Sequence, residues 1–367
     1  MNAGEPMRRA LALAEAGRYG ASPNPMVGAV VLDHQGNVVG EGAHRRCGGP
    51  HAEIEALTAA GAKSCGGTLV VTLEPCVHHG RTPPCVDAIL AAAVRRVVIG
   101  CRDPNPAVSG RGVAALRAAG VEVIEDVEAA ACRSLNKRFF HYMETGLPFV
   151  TLKMAVTLDG KLAARGGRSR WITSESSRRE GYALREEYDA LLVGVGTVLA
   201  DDPRLVRHLG LNPDPHLRRL VLDSQLRTPP DCSLLRHEPA DVVFFCTAQA
   251  SLARRRGLEA AAATVVEVGE DERGRCDLHQ VMKWLGALGI SSVLIEGGGE
   301  THWSFLKEGL VQRLHAFLAP MLMGGKEAVP AVGGLGFASP QEAVKLKFEE
   351  VRRLEGDLVV IAEVVRV

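Results

Sequence analysis

Apolar residues in the first part of the chain fall into short runs separated by stretches with helical spacing. The runs, bounded by glycine, proline or polar turns, predict strands at residues 29–32, 38–39, 68–73, 96–100 and 121–123, of which 68–73 is expected to be buried. Segments with one apolar face predict helices at 6–16, from near residue 51, and at 85–94, 110–119 and 128–142. Alternation of strands and helices is typical of a sheet covered by helices on both faces.

A second alternating pattern begins after residues 144–148, where a charged segment is followed by a new apolar strand. Strands are predicted at 149–158, 190–196, 219–223, 242–245, 263–268 and 292–296, with helices near 175–188, 248–261, 278–288 and 301–308. A chain of 367 residues is also long for one domain. We therefore predict two α/β domains, residues 1–147 and 148–367.

The charge balance narrows the possible partners. The chain has 43 basic and 43 acidic side chains, so it lacks the electrostatic footprint of a nucleic-acid-binding protein. It contains no uncharged apolar run of the roughly 18 residues that a membrane span needs, and its first residues lack a secretion-signal pattern. We therefore expect a cytoplasmic protein that binds neither nucleic acid nor membrane. Its 9 cysteines suit metal binding and ordinary burial better than a disulfide framework.

Candidate chemistry first appears at His51-Ala-Glu53, followed by Pro75-Cys76 and by Cys85. One histidine and two cysteines are typical zinc ligands, and three protein ligands leave a fourth position for water, as in catalytic sites. Zinc lowers the pKa of bound water to roughly 7 and so yields hydroxide at neutral pH. The signature of zinc nucleobase deaminases is H-x-E followed by P-C-x-x-C, and its glutamate moves protons and is not a ligand. This chain matches the signature at His51, Glu53 and Pro75-Cys76. We therefore predict zinc-dependent hydrolytic deamination, with Glu53 as the proton carrier.

A structural zinc site is the alternative interpretation of the same residues. Such a site needs a fourth protein ligand, and Cys47, His78 and His79 are near enough in sequence to provide one. Counting residues does not separate the two interpretations. The difference is decisive for function, because a fourth protein ligand would occupy the position of the reactive water.

The spacing of the cysteines distinguishes among deaminase families, because Cys76 and Cys85 are much farther apart than in the common P-C-x-x-C pattern. Residues 72–85, with residues 22–28 and 49–53, resemble the deaminase half of the bifunctional riboflavin-biosynthesis deaminase–reductases. The resemblance implies a cytidine-deaminase-like three-layer α/β/α domain in which His51, Cys76 and Cys85 bind zinc and Glu53 donates protons. It also implies that the pyrimidine substrate or its phosphate is bound by Asn24, His44, His78 and Arg81. On pattern alone, Arg81 fits a solvated loop charge equally well.

Two features of the second half suggest ligand binding. Lys153 lies in the middle of an apolar strand, where a charge is costly unless it is paired or reaches an open cleft; an edge-strand lysine facing solvent is the alternative. Gly297-Gly-Gly299 follows a strand and precedes a helical segment, so its amides could cradle a phosphate, although a packing turn fits as well. The fingerprint G-x-G-x-x-G with a spaced acid is absent, which disfavours a standard Rossmann site.

This half resembles the reductase half of the same family through residues 153–161, 169–173, 194–203 and 296–299. The resemblance implies a dihydrofolate-reductase-like α/β domain that binds NADPH. From their strand positions we predict that Lys153 and Glu296 flank the reacting carbon, with Lys153 as a catalytic residue. The residues implied at the dinucleotide are Ala155, Trp171, Thr173, Thr197, Asp201, Ser224, Gly297, Gly298 and Gly299. Those implied at the ribose phosphate are Lys153, Ser169, Arg185, Leu205, Arg207 and Glu296. Arg207 departs from the family pattern, because Val206 alone separates it from Leu205.

The resemblance implies a two-step enzyme of riboflavin biosynthesis that acts on a small pyrimidine ribose phosphate. The first step deaminates 2,5-diamino-6-(5-phosphoribosylamino)pyrimidin-4(3H)-one. The second reduces the ribosyl group of 5-amino-6-(5-phosphoribosylamino)uracil to ribityl with NADPH. A homo-oligomer is also expected. Two alternatives stay open: a zinc deaminase of another base or nucleoside with a divergent reductase domain, and a zinc-stabilised nucleotide-binding regulator without activity.

Overall fold

The computed structural model describes residues 3–78, 83–214 and 216–365. The chain forms two compact units, Met1–Gly146 and Leu147–Val367, so the division falls within the segment 144–148. Each unit has its own main sheet and its own buried apolar core. No helix in the described ranges has the length and apolar character needed to cross a membrane.

The first unit is built on one five-stranded sheet of order β2-β1-β3-β4-β5. Its strands are β1 (Gly28–Leu32), β2 (Val38–Ala43), β3 (Thr68–Leu73), β4 (Arg96–Cys101) and β5 (Glu122–Ile124). Its helices are α1 (Gly4–Ala14), α2 (Ala52–Ala60), α3 (Cys85–Ala91), α4 (Arg111–Ala118), α5 (Ala129–Leu135) and α6 (Lys137–Thr145), with 3-10 turns at Glu15–Gly17 and Gly61–Ser64. Strands β3, β4 and β5 are parallel, and β1 is antiparallel to both of its neighbours.

Glycines let helices approach both faces of this sheet. A Cβ atom at Gly28 would overlap the backbone carbonyl of Ala10 in α1, and one at Gly42 would overlap that of Ala52 in α2. Gly28 pairs with Ala43, the neighbour of Gly42, and neighbouring positions on a strand point to opposite faces. Helices α1 and α2 therefore cover opposite faces of the sheet. The close approach at Gly42 also places the start of α2 directly beside β2.

The second unit contains a nine-stranded sheet of order β11-β10-β9-β8-β12-β6-β13-β16-β15 and a small sheet of β14 and β7. Its strands are β6 (Phe149–Thr157), β7 (Lys161–Ala163), β8 (Ala190–Gly194), β9 (Arg218–Leu222), β10 (Val242–Cys246), β11 (Thr264–Glu267), β12 (Ser292–Ile295), β13 (Arg313–Ala319), β14 (Val329–Pro330), β15 (Lys345–Leu354) and β16 (Asp357–Val365). Its helices are α7 (Glu175–Glu187), α8 (Val195–Asp201), α9 (Leu252–Ala260), α10 (Leu278–Ala287) and α11 (Gly299–Lys307), with a 3-10 turn at Pro239–Asp241.

Every neighbouring pair from β11 to β13 is parallel, and β16 and β15 extend the sheet in antiparallel pairing. The parallel strands are apolar along their length because both of their faces are covered. Near its end, β6 alternates between buried and half-buried positions. Lys153 and Ala155 occupy the half-buried positions and therefore point to the same face of the sheet.

The sequence pattern misplaced or missed several elements. The helix predicted at 128–142 is present but is divided at Asn136 into α5 and α6. The predicted strand at 190–196 ends at Gly194, where α8 begins. Strands β13, β15 and β16 were not predicted. In β15 the apolar alternation is broken by a bulge between Phe348 and Glu350, and the strand is mostly exposed, so its pattern carries little signal.

Candidate active sites

The first unit brings the three predicted zinc ligands together. His51 is the N-cap of α2, Cys76 follows the end of β3, and Cys85 is the first residue of α3. The Nδ1 atom of His51 lies 3.0 Å from the Sγ of Cys85 and 3.6 Å from that of Cys76. The three donor atoms all lie within 4.8 Å of one another. One imidazole nitrogen and two sulfurs at this spacing fit a single zinc ion.

The two thiols lie in a setting that favours a thiolate. A hydrogen bond from Cys85, together with a hydrogen bond and the charge of His51, lowers the pKa of the Cys76 thiol to about 4. The same contact between the sulfurs, together with burial, raises the pKa of Cys85. The backbone N–H of Cys85 also donates to Cys76 Sγ over 3.4 Å. The pair thus presents negative charge to a cation, as metal-binding cysteines require.

Glu53 lies beside the donor group, in the first turn of α2. Its side chain is buried and interacts with Cys85, one of the two sulfur donors. Burial raises the pKa of the Glu53 carboxyl. A carboxyl with a raised pKa beside a metal site is suited to taking up and releasing protons.

The group of candidate metal ligands has three members, His51, Cys76 and Cys85, among the residues that the structure describes. Cys47 is not part of it, and His78 is exposed. His79 and Arg81 lie outside the described ranges, so the substrate role predicted for Arg81 stays a prediction, as does that of His78. Three protein ligands is the number found in catalytic zinc sites.

Asn24 and His44, both predicted to contact the substrate, lie next to each other near the metal ligands. Asn24 Nδ2 is 3.2 Å from His44 Nε2, and His44 Nδ1 is 2.9 Å from the carbonyl oxygen of Pro50. Because a carbonyl can only accept, Nδ1 carries the proton and Nε2 accepts from the Asn24 amide. Burial lowers the pKa of His44, which favours this neutral ring. The rings of His44 and His51 meet edge to face, with centroids 5.3 Å apart.

Glu74 is a buried carboxylate next to this site that the sequence analysis missed. It accepts hydrogen bonds from the backbone N–H groups of Gly110 at 3.0 Å, Val113 at 3.1 Å and Asp103 at 3.4 Å. These bonds hold the loop from Asp103 to Gly110 beside the strand end that carries Cys76. An acid between an apolar strand and a proline was the available signal, but an exposed side chain is the ordinary expectation there.

In the second unit, Lys153 and Glu296 form a charged cluster with Arg185. Arg185 binds Glu296 through two hydrogen bonds, Nε to Oε1 at 2.6 Å and Nη2 to Oε2 at 2.9 Å. The Nζ atom of Lys153 lies 3.9 Å from Glu296 Oε2. Burial alone would raise the pKa of Glu296, but the charges of Arg185 and Lys153 outweigh it and lower that pKa. Burial lowers the pKa of Lys153, so this ammonium releases its proton more readily than an exposed lysine.

Arg207 and Leu205 lie in the loop that follows α8. The Arg207 guanidinium donates to backbone carbonyls of Arg185, Tyr188, Asp214 and His216. These bonds engage the guanidinium inside the protein, so the geometry favours a structural role, and the predicted phosphate contact stays a prediction. Leu205 is buried and has a left-handed backbone with φ of 50°.

The Gly297–Gly299 turn has the close contacts that explain its glycines. A Cβ atom at Gly297 would lie 2.9 Å from Thr197 Oγ1, so the turn and a second predicted dinucleotide residue are brought together. Gly298 has a left-handed φ of 78°, and Gly299 is the first residue of α11. The turn therefore leads directly into a helix N-terminus, which is a favourable place for a phosphate.

The remaining predicted residues of the reductase site are distributed over several elements. Ala155 shares the face of β6 with Lys153. Trp171 is exposed, and the Arg178 guanidinium lies 4.4 Å from the centroid of its ring. Thr173 is buried and Ser169 is half-buried in the same segment, which precedes α7. Their ligand contacts stay predictions.

Ser224 and Asp201 complete the predicted set. Ser224 follows the end of β9, and its Oγ accepts the backbone N–H of Cys276 over 3.1 Å. Asp201 is exposed at the last position of α8. Ser224 thus lies just beyond the carboxyl end of a parallel strand, where α/β sheets ordinarily bind ligands.

Two family models match successive parts of the chain. The model described as the cytidine and deoxycytidylate deaminase zinc-binding region matches residues 2–101, a range that contains His51, Cys76 and Cys85. The model described as the RibD C-terminal domain matches residues 148–360.

Relatives match almost the entire chain. The riboflavin biosynthesis proteins RibD of Actinobacillus pleuropneumoniae and Aquifex aeolicus are each 42% identical over 96% of this chain and over 93% and 96% of their own lengths. The structure of Acinetobacter baumannii RibD superposes with a TM-score of 0.89 at 33% identity and covers 99% of both chains. A Thermotoga maritima structure, titled a diaminohydroxyphosphoribosylaminopyrimidine deaminase/5-amino-6-(5-phosphoribosylamino)uracil reductase, has a TM-score of 0.84 at 34% identity and the same coverage.

These matches confirm the predicted fold class, a cytidine-deaminase-like first domain followed by a reductase domain, both α/β. They also confirm the resemblance drawn from the cysteine spacing and from the motifs of the second half. The chain therefore belongs to the RibD family of bifunctional riboflavin biosynthesis proteins, which join a deaminase domain to a reductase domain.

Proposed function

We propose that this chain catalyses two successive steps on one pyrimidine ribose phosphate. Residues 1–147 would remove the C2 amino group of 2,5-diamino-6-(5-phosphoribosylamino)pyrimidin-4(3H)-one as ammonia. Residues 148–367 would then reduce the ribosyl group of 5-amino-6-(5-phosphoribosylamino)uracil to ribityl. The observation that carries the proposal is the triangle of His51, Cys76 and Cys85 with the buried Glu53 beside it.

The first step needs a water made nucleophilic and a group that moves its protons. Bound zinc, for which the three donors fit, supplies a Lewis acid that activates water near neutral pH. Glu53 takes a proton from the attacking water and delivers it to the ring nitrogen. It then takes the remaining hydroxyl proton and delivers it to the amino group, which leaves as ammonia while the C=O bond forms. The carbon–oxygen bond forms before the carbon–nitrogen bond breaks. Because oxygen replaces nitrogen at the same carbon, the oxidation state of that carbon does not change, and neither an oxidant nor a reductant is required.

Asn24 and His44 orient the pyrimidine for this attack. Because the Asn24 amide donates to His44 Nε2, its Oδ1 is oriented as an acceptor and suits an N–H group of the substrate. His44 in turn is held by the Pro50 carbonyl, one residue before His51. This hydrogen bond places the His44 ring beside the metal ligand His51.

In the second step the ammonium of Lys153 would donate its proton to the ring oxygen of the ribosyl group as the C1′–O bond opens, while the lone pair of the attached nitrogen forms a C1′=N bond. NADPH, when bound, would supply the hydride that reduces this bond at C1′. Burial assists the proton transfer, since it lowers the pKa of Lys153. Glu296, held in place by Arg185, keeps the ammonium close to the reacting carbon. The Gly297–Gly299 turn at the start of α11 fits the dinucleotide phosphates.

The test is incubation of the full chain with the diaminopyrimidine phosphate, with and without NADPH, while ammonia release and NADPH oxidation are followed separately. We expect ammonia in both cases and NADPH oxidation only after deamination. Lys153→Met should keep ammonia release and lose NADPH oxidation; full reductase turnover in this variant would contradict the role of Lys153.

The two alternatives from the sequence give different results in the same assay. A deaminase of another base would release no ammonia from this substrate and would not couple it to NADPH oxidation. A zinc-stabilised regulator would show neither reaction, and Glu53→Gln would change no activity.

We also propose a homo-oligomer in the cytoplasm. The outermost strand of the large sheet, β15, exposes Phe348 and Val351, and an uncovered strand edge with apolar side chains is suited to pairing with another chain. Light scattering coupled to size-exclusion chromatography measures the oligomer, and a monomeric mass at micromolar concentration would contradict it.

A further inference from the structure

We propose that Asn136 is a positioning residue of the deaminase site, a role that rests on the function proposed above. Asn136 lies at the junction of α5 and α6, and its side chain is 3% exposed. Its Oδ1 accepts the backbone N–H of Met26 over 2.8 Å, and its Nδ2 donates to the Met26 carbonyl over 2.8 Å. One amide side chain therefore satisfies both backbone groups of Met26, as a neighbouring strand would.

Met26 needs such a partner because of its position in the chain. The pairing of β1 with β2 begins only at Gly28, so Met26 precedes the ladder. The flanking residues Pro23 and Pro25 have no backbone N–H to donate. Buried or half-buried backbone groups without partners are costly, and a side-chain amide is one of the few groups that can serve a donor and an acceptor together. Asn136 thus anchors the segment just before β1.

The anchored segment contains Asn24 and binds His44, the two residues proposed to orient the pyrimidine. Asn24, two residues before Met26, holds its amide 3.2 Å from His44 Nε2. Val27, one residue after Met26, accepts the backbone N–H of His44 over 2.9 Å. His44 is therefore attached to the segment at both its ring and its backbone. A displacement of Met26 would move Asn24 and His44 together relative to His51.

The interruption of the helix at Asn136 is what makes this contact available. The backbone of Asn136 has φ of −109° and ψ of 26°, outside the helical region, and it ends α5 and begins α6. Its carbonyl still accepts the N–H of Phe140 over 2.9 Å, so the following helix is anchored as well. The neighbouring Phe139 and Phe140 are buried in the core. The backbone that carries the Asn136 side chain is therefore held in place by the start of α6.

The metal ligands do not depend on this anchor. His51 and Cys85 start α2 and α3, and Cys76 follows β3, so their positions come from elements other than the segment that Asn136 holds. Loss of the anchor should for that reason disturb substrate alignment without removing zinc. This separation makes the proposal testable against a general role in folding.

The test compares Asn136→Ala and Asn136→Asp with the wild-type full chain. Alanine removes both hydrogen bonds, whereas aspartate keeps nearly the same volume and the acceptor but places a carboxylate oxygen against the Met26 carbonyl. For both variants we expect kcat/KM for ammonia release to fall by roughly ten- to hundredfold, mainly through KM, because small displacements of substrate-aligning groups have effects of this size. Bound zinc per chain and the reductase constants on the deaminated substrate should equal those of the wild type.

Asn37→Ala is the matched control, because it removes asparagine side-chain bonds to Asp33 and Gln35 in an exposed turn of the same unit. Its deaminase KM should equal that of the wild type. An unchanged deaminase KM in both Asn136 variants would overturn the proposal. Loss of zinc or of reductase activity in both would also overturn it, because Asn136 would then support folding in general. Absence of ammonia from the wild-type enzyme would instead refute the proposed function.

Discussion

Replacement of Arg185 tests whether the buried Glu296 carboxylate depends on its partner. The two side chains are only 13% and 6% exposed. In Arg185→Met an unbranched apolar chain replaces the guanidinium stem, and Glu296 keeps Lys153 at 3.9 Å as its nearest cation. Breaking a buried pair by removing one partner costs about 3–5 kcal/mol, because a buried charge is left uncompensated. A domain of this size loses about 2–4 °C per kcal/mol, so the second unit should unfold roughly 6–20 °C lower.

Differential scanning calorimetry of the full chain measures this shift. A zinc chelator identifies the transition of the first unit, because the metal ligands lie there. Arg255→Met is the control, since it removes ion pairs with the exposed Glu259 and Glu267 in the same unit and should cost less than about 1 kcal/mol. The double variant Arg185→Met, Glu296→Gln should recover part of the loss, because the unpaired carboxylate is gone.

Two results would refute this reasoning. If Arg185→Met unfolds no lower than Arg255→Met, the Glu296 carboxylate does not need its partner. If the double variant is no more stable than Arg185→Met, the loss comes from the packing of the arginine and not from the stranded charge.

Three further predictions address the other groups. Cys76→Ser should lower bound zinc per chain and ammonia release while NADPH oxidation on the deaminated substrate persists; full zinc occupancy by metal analysis would contradict the ligand role. Glu53→Gln should keep its zinc but lose roughly 10²–10⁴-fold in deaminase kcat, and a wild-type rate would exclude Glu53 as the proton carrier. The pKa of Glu180 is lowered to about 2, because the nearby His315 ring and Arg352 guanidinium outweigh the opposing effect of burial. A depressed folded-state pKa stabilises the protein above the ordinary value of 4.5 and ceases to do so as the pH falls towards 2. Thermal unfolding of Glu180→Gln should thus be lower than wild type at neutral pH and approach it below pH 4.5, and a gap independent of pH would contradict the assignment.

Much of the first unit could be predicted from local pattern. Strands β1, β3 and β4 are continuous apolar runs, and such runs stay buried whichever neighbours they acquire. The prolines before Cys85 and the strand before Cys76 placed both thiols at element ends, where the structure has them. The break at Asn136 could not be predicted, because helix-favouring residues continue on both sides of it.

The partners of the charged groups could not be predicted from the sequence. The substrate contact implied for Arg185 stays a prediction, but its bond to Glu296, 111 residues away in the chain, had no signal in the sequence. Arg207 is engaged in the same way by backbone carbonyls. Hydrophobic periodicity shows which face of an element is buried, but it contains no information about which charged side chain from a distant element will meet another.

The sequence by itself determined the kind of chemistry, because donor atoms are properties of residue types: an imidazole and two thiols select zinc, and a nearby carboxylate can move protons. It also determined the family, because the unusual number of residues between Cys76 and Cys85 can be counted directly from the sequence. The tertiary structure alone decided that Asn136 binds the backbone of Met26, 110 residues away. It also decided that the buried Glu74 accepts hydrogen bonds from backbone N–H groups of Asp103, Gly110 and Val113. Such contacts depend on the order of strands and the crossing of helices, which are settled by the packing of the whole core.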